Sequence, residues 1–445
     1  MLKNYLCKNT LPKPQEPIRI AIIGGGNRSW SLYRLLLPAL KPWIKVVAVY
    51  DPVEEHANRL GTALGVPVFS DIHALMIARP MEAALISTPI ESHYAYSMYC
   101  SSHGVHNIVE TMFCNLTGQA TRMVETARDN QVVVRMAENF FRFPVDRFAR
   151  MVMDSQYIGA VRRIVSYSDF TGYHNNSRWL YFAQSHPTWA QSISHTMNTL
   201  PHRSFAHRLH HSENFSARFF GFEEGFLVSD QAANIKGLLG RQPRPGYTEW
   251  QGNQGALVYQ SRWPNEHLKF NDIYPFANLQ QRIDEDLGHI EIRRCDVDQA
   301  GESMTGLAKE YLSATTEYND EQIWTRISAQ SQSQKLEYSN TFFPVNDTKD
   351  PLPADAASVM ETLVDFALAV RGLKESEFND EDARMSLMME VAARESALQE
   401  GRRIALPLTI DTEIDAIEEQ RLRKVFHGID PFDVEAMLAI NYPRP

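Results

Sequence analysis

Gly24-Gly25-Gly26-Asn27-Arg28-Ser29 follows the apolar run Ile18 to Ile23, and Asp51 closes the next apolar run, Val46 to Tyr50. Glycine in such a turn lets backbone N–H groups approach a diphosphate, and the helix beyond it points its positive end at the same charge. A carboxylate at the tip of the second strand, about 20 residues further on, accepts the two hydroxyls of a ribose. Gly24 and Gly26 take the first two places of G-x-G-x-x-G. Ser29 takes the third, where glycine serves close helix–strand packing rather than phosphate contact. Asp51 precedes Pro52, with no neighbouring Lys or Arg to meet a 2′-phosphate, which favours NAD over NADP. Gly24, Gly26, Asn27, Arg28 and Asp51 are therefore expected to hold NAD. The competing reading is an ordinary glycine-rich turn in another doubly wound protein.

The elements that must position these residues alternate. After Asp51 come a helical stretch from Glu54 to Leu64, a short run Val66 to Phe69 and a short helix capped by Asp71. Ala83 to Ile86 is a buried strand running into Ser87-Thr88-Pro89, Glu91 to His103 a helix, and His106 to Glu110 a strand. Thr117 to Asp129 is again helical, and Val132 to Met136 returns to the sheet. Repeated βαβ units predict a parallel sheet wound on both faces, a Rossmann-type domain over residues 18–143. Ligands bind such sheets beyond the carboxyl ends of the strands, which nominates Ser87, Thr88, Pro89, Glu110, Thr111 and Asn139.

Beyond Pro144 the pattern changes. An amphipathic helix from Asp146 to Ser155 leads to strand candidates at Val161–Tyr167, Gln231–Leu238, Ala256–Gln260, Ile290–Arg294 and Lys335–Tyr338. Strands without helices between them predict an α+β domain over 144–410, built on a mostly antiparallel open sheet. Ala357–Leu373 and Glu381–Gln399 are helical, residues 1–17 form an extension, and 411–445 form an acidic, partly helical tail. The fold class is thus α/β.

The 445 residues are 44% hydrophobic and 22% charged, which suits a soluble chain with two cores. A net charge of −10 argues against nucleic acid or an anionic membrane as partner. No apolar run is long enough to cross a bilayer, and the start of the chain lacks the pattern of a signal peptide. Four scattered cysteines fit neither a disulfide framework nor a metal spacing, so a cytoplasmic location is expected.

These residues resemble the Gfo/Idh/MocA family of sugar-acting, NAD(P)-dependent oxidoreductases. The resemblance is carried by Ile22-Ile23-Gly24-Gly25-Gly26-Asn27-Arg28, Asp51, Ser87-Thr88-Pro89 with His93, Gly104-Val105-His106 leading to Glu110, and Glu138-Asn139 with Arg142. Glu395-Ser396-Ala397 before Gly401 and Leu406-Pro407 extend it, so that it covers about Ile18 to Ile410, diffusely in the second domain. It implies a sugar or glycoside substrate, hydride transfer at a ring carbon, and a homo-oligomer joined through the C-terminal sheet. It also implies that His93 lines the nicotinamide side, the alternative being a helix-start histidine bonded to backbone.

The departures carry as much information. Family members usually read Glu-Lys-Pro where this chain reads Glu110-Thr111-Met112, and Thr111 cannot supply the lysine's charge. The family register puts the catalytic histidine at His195 and leaves Gln191 in the place of its usual acid. One branch, the NAD-dependent glycosidases, lacks the lysine. Its members oxidise C3 transiently, eliminate the aglycone, add water and return the hydride. A non-catalytic NAD-binding sensor or assembly subunit is the third reading.

Tyr173-His174-Asn175-Asn176-Ser177-Arg178-Trp179 is dense in groups that bind sugars, since aromatic faces stack on the ring while amides and Arg take hydroxyls. Arg178 and Trp179, with Thr111, Arg142 and Gln191, are the expected substrate contacts. His195, Tyr173 and His174 are the expected proton carriers, the type of group that titrates near neutrality or holds a proton. Glu110 is expected at the nicotinamide ribose or as a helix-terminal carboxylate. Asn139 with Arg142 is expected to support the floor of the site. His202, His207, His210 and His211 crowd together, but no carboxylate or cysteine completes a metal set, so no metal is expected.

Overall fold

The computed structural model describes residues 5–7, 11–168, 172–203, 209–233, 247–260, 289–294, 310–318, 324–340, 342–344 and 356–440. Contacts divide the chain into two compact units, one of 1–139, 341–391 and 408–445, the other of 140–340 and 392–407.

In the first unit, a strand β1 (Tyr5–Cys7) precedes a parallel sheet of β2 (Ile18–Ile23), β3 (Ile44–Tyr50), β4 (Val68–Phe69), β5 (Ala83–Ile86), β6 (His106–Val109) and β7 (Val134–Met136). The spatial order is β4-β3-β2-β5-β6-β7, so the chain doubles back beside β2 and opens a crevice at the carboxyl ends of β2 and β5. β2 is buried at every position but Arg19, as a strand covered on both faces must be. Its helices are α1 (Arg34–Leu36), α2 (Glu54–Leu64), α3 (Ile72–Ala78), α4 (His93–Ser102) and α5 (Thr117–Asp129). Gly65 ends α2 at φ +69°, and the Asp71 carboxylate caps α3 by accepting from His73 N–H at 2.7 Å.

The second unit opens with α6 (Pro144–Asp154) and is built on a nine-stranded sheet. Its strands are β8 (Val161–Ser168), β9 (Pro187–Arg203), β10 (Leu209–Phe222), β11 (Leu227–Ala233), β12 (Tyr247–Gly252), β13 (Gly255–Gln260), β14 (His289–Arg294), β15 (Glu310–Ser313) and β20 (Ile404–Ala405). Only β8 and β11 pair parallel; the other neighbours run antiparallel. A separate three-stranded sheet joins β16 (Thr315–Tyr318), β17 (Trp324–Gln330) and β18 (Lys335–Ser339). The helix α7 (Gly172–Ala183) follows β8.

Two expectations need correction. Residues 341–391 lie with the first unit, because α8 (Ala356–Val370) is apolar around most of its girth. Its Val359, Met360, Leu363 and Phe366 share one core with Leu32, Leu36, Trp43 and β2, and β19 (Phe342–Pro344) pairs with β1. The tail is likewise part of that unit. The helix α9 (Asp380–Leu398) runs from the first unit into the second, and the tail carries α10 (Glu413–Val425) and α11 (Val434–Leu438). Asp415 on α10 accepts from both N–H and hydroxyl of Thr117, at 2.9 and 2.8 Å, and so caps α5 from another helix. Beyond Ala233, the rest of the expected strand Gln231–Leu238 lies outside the described residues.

Candidate functional site

The glycine turn is held by its neighbours. Gly24 N–H donates to Tyr50 O at 2.8 Å, and its φ of +104° suits glycine. A Cβ there would lie 2.5 Å from Ser87 O, so β2 and β5 meet too closely for any side chain. Gly26 has nothing within 4 Å of where a Cβ would stand, which leaves an open flank for a ligand. Ser29 explains itself: its buried hydroxyl donates to Gly24 O at 2.6 Å and ties helix to strand where the motif usually has glycine.

Asp51 is buried and oriented by backbone. Its Oδ2 accepts from Gly25 N–H and its Oδ1 from Val53 N–H, both at 2.8 Å, with His56 Nδ1 3.8 Å from Oδ2. Two oxygens carry about four acceptor sites, so a carboxylate pinned this way retains capacity for a diol. Among the described residues, the buried Ser87 hydroxyl at the end of β5 has no hydrogen-bond partner. A buried polar atom left unpaired is costly, and a polar ligand would satisfy it. These features fit a dinucleotide.

Glu110, at the end of β6, gathers donors. Arg28 Nε and Tyr33 OH both donate to its Oε1 at 2.5 Å, and Thr111 N–H donates to Oε2 at 3.1 Å. Burial raises the Glu110 pKa, but the Arg28 charge and the Tyr33 and Arg28 hydrogen bonds outweigh it and hold the carboxyl below its usual range. Burial and the same carboxylate push Tyr33 well above the usual phenol value. His93 is buried with both ring nitrogens on carbonyl oxygens, Nε2 2.9 Å from Thr88 O and Nδ1 2.7 Å from Met112 O. It therefore brackets the ends of two strands, matching the backbone alternative. Burial lowers its pKa against the pull of those carbonyls. The Asn139 amide nitrogen donates to Ser358 Oγ at 2.7 Å, fastening the end of β7 to α8.

In the second unit the expected substrate contacts Arg178 and Trp179 are corrected. Both are wholly buried on α7. Arg178 grips Asp146 bidentately, Nε to Oδ2 at 2.6 Å and Nη2 to Oδ1 at 2.9 Å, and reaches Thr248 at 3.1 Å. Trp179 Nε1 donates to Asp230 at 3.1 Å. Polar and aromatic density in that segment serves the interior, since α7 packs its polar stripe against charged strand residues. Its first turn differs: His174 is 9% exposed and stacks on Phe140, ring centroids 4.1 Å apart at 7°. Tyr173 is half-buried and tilts against His174 at 4.1 Å.

His195 lies on β9 opposite Phe215, at an exposed strand position. Gln191 is exposed on the same strand and donates to Gly401 O at 2.8 Å. Arg142 is buried, its guanidinium 4.7 Å from the Phe141 ring centre. The side chains of His202, His207 and His210 lie outside the described residues, and His211 is exposed. Among the described residues no group of three His, Cys, Asp or Glu could hold a metal. Sequence reasoning missed Tyr33, Asp146, Arg218 and Asp230, whose partners lie from 12 to 77 residues away.

Residues 18–138 match the family model described as oxidoreductase family, NAD-binding Rossmann fold, the Gfo/Idh/MocA group. Over 153 residues the chain is 25% identical to the dTDP-3,4-didehydro-2,6-dideoxy-alpha-D-glucose 3-reductase of Actinomadura kijaniata, a match spanning 34% of this chain and 45% of that protein. The match therefore spans less than half of that relative. The fold is similar to an oxidoreductase from Agrobacterium radiobacter in complex with NAD+, L-tartaric acid and magnesium (TM-score 0.61, 14% identity, 90% of this chain and 99% of that one). It is also similar to levoglucosan dehydrogenase in complex with NADH and levoglucosan (TM-score 0.60, 14% identity, 88% and 100%). Myo-inositol 2-dehydrogenase from Lactobacillus plantarum follows (TM-score 0.53, 13% identity, 88% and 99%). At these identities the likeness speaks for the fold.

Proposed function

We propose that this chain, which carries the NAD-binding Rossmann domain of the Gfo/Idh/MocA oxidoreductase family, transfers a hydride between NAD and a ring carbon of a sugar or glycoside. The observation that carries the coenzyme half is Asp51, a buried carboxylate fixed at the glycine turn beside the unpartnered Ser87 hydroxyl. Bound NAD supplies the hydride chemistry. The protein holds the ribose diol at Asp51, leaves the flank of Gly26 open for the diphosphate and handles the proton. The sugar class is supported by the sugar-nucleotide reductase and the levoglucosan and inositol dehydrogenases among the similar proteins.

His174 takes the proton in this reading. It is nearly buried, stacked in a fixed plane and next to Tyr173, whereas His195 stands in water on an open strand. A proton carrier beside a reacting hydride needs a shielded, fixed position.

Thr111 favours a second reading, the redox-neutral NAD-dependent glycosidase, because no lysine follows Glu110 to polarise a hydroxyl. The test is a panel of free sugars and 4-nitrophenyl glycosides in deuterated water, followed at the NADH absorbance, for nitrophenolate and for deuterium at C2. Net NADH supports the dehydrogenase; nitrophenolate with C2 exchange and no net NADH supports the glycosidase. No turnover of any kind, with NAD bound, contradicts both. Replacing Thr111→Lys restores the family's cation, and a gain of net NADH formation is expected wherever the dehydrogenase geometry persists.

A further inference from the structure

Asp230 sits on β11 without solvent exposure, and three side chains converge on its carboxylate. Arg218 of β10 forms an ion pair with it, Asn175 Nδ2 donates to Oδ1 at 3.2 Å, and Trp179 Nε1 donates to Oδ2 at 3.1 Å. Arg218 also donates to Gly172 O at 2.7 Å. The first turn of α7 is thus fastened to one carboxylate on both sides of His174, at Gly172 before it and Asn175 after it. Asn175 Oδ1 in turn accepts from Arg178 at 3.4 Å, the residue that Asp146 grips. Ser177 Oγ closes the turn by donating to His174 O at 2.8 Å.

Two buried ion pairs are a poor way to stabilise a helix against a sheet. Apolar residues of the same volume do as well or better, because desolvation consumes most of the Coulombic gain. What such a network supplies is a single geometry, since every member must be satisfied at once. The residue framed by its tethers is His174.

We infer that Asp230 is a positioning residue that fixes the orientation of His174 through Arg218 and Asn175. The inference rests on the reading of His174 as the proton carrier. Besides Asp230 and Arg218, the charged and titratable groups near the turn include Asp146 and Arg147 on α6, Arg178 on α7 and Tyr173 beside the ring.

The test is NMR of the full chain with isotope-labelled histidine, the His174 ring signals being assigned by their loss in His174→Gln. In Asp230→Asn the Arg218 charge is left uncompensated and both tethers to the carboxylate are weakened, so the His174 ring signals are expected to shift and broaden. Asn175→Ala removes one tether while leaving all four members of the two ion pairs in place, and is expected to broaden or split the His174 signals in a protein of near-normal melting temperature. It also serves if Asp230→Asn does not fold. Folded Asp230→Asn with unaltered His174 signals, or Asn175→Ala with unaltered signals, overturns the inference. On whichever compound of the panel turns over, His174→Gln is expected to lower kcat by about 100-fold or more, the scale of general acid–base contributions. If it leaves kcat unchanged, the proton-carrier reading fails, whatever the NMR shows.

Discussion

At Glu110 two side chains and a backbone N–H meet one buried carboxylate, and the balance of burial against Arg28 decides its charge. Its folded pKa lies below the ordinary value, so the group contributes stability that is present above about pH 4.5 and is lost as pH falls through the lower, folded value. Glu110→Gln removes that contribution. The difference in melting temperature between the natural protein and this variant is expected to be largest near pH 7 and to shrink below pH 4.5; a constant difference would contradict the assignment. His93 works in the same direction at higher pH. Its folded pKa lies below the usual histidine value of about 6.5, so stability is expected to fall as pH drops from about 6.5, and His93→Gln is expected to flatten that slope in a thermal-melt series. Cys114, beside this region, is buried and burial pushes its thiol up, which makes it an inert filler rather than a nucleophile. At this scale the placement of Asp51 and the glycines at one turn was legible, because a turn and its strand tips are local in sequence. Arg178 and Trp179 misled because residue type alone does not say which face of a helix meets the sheet.

Helices whose apolar positions repeat at helical spacing were legible to within about three residues. α2 and α5 occupy the spans that the pattern predicts, Glu54–Leu64 and Thr117–Asp129. Residues 187–203 carry no such period; their small polar run becomes β9 because β10 supplies a partner over most of its length. The cap of α5 was not legible either, since its carboxylate comes from Asp415, 298 residues away. That carboxylate serves two helices, because Thr412 and Asp415 also form the capping box of α10. Asp415→Ala therefore removes the cap of α5 and the carboxylate half of the α10 box, while Thr412 Oγ1 still accepts from the backbone N–H at 415. It is expected to cost about 1–2 kcal/mol by urea unfolding of the full chain. A loss under about 0.5 kcal/mol would show the contacts to be incidental.

At the scale of the whole chain, contacts and sequence order disagree. The segment 341–391 looks continuous with the second domain along the sequence, yet Leu363 and its neighbours complete the core beneath β2. Apolar composition announced a buried helix in α8 without saying which core it would enter. Leu363→Ala is expected to cost about 2–5 kcal/mol, as cavities in tight cores do, and to lower the melting temperature of the unit that carries the glycine turn. The parallel sheet was legible from its βαβ rhythm, whereas the buried charges behind α7 were not, because their partners meet only once β8, β10 and β11 are side by side. Most of the functional account returns to one carboxylate. Titration calorimetry of the intact protein with NAD, in parallel with Asp51→Ala of matched melting temperature, tests it most directly. The account predicts saturable one-to-one binding that weakens at least about 10-fold in the variant, the loss of roughly 1.4 kcal/mol or more in charge-assisted hydrogen bonds. Equal affinity in the two proteins, or no heat from either, would contradict it.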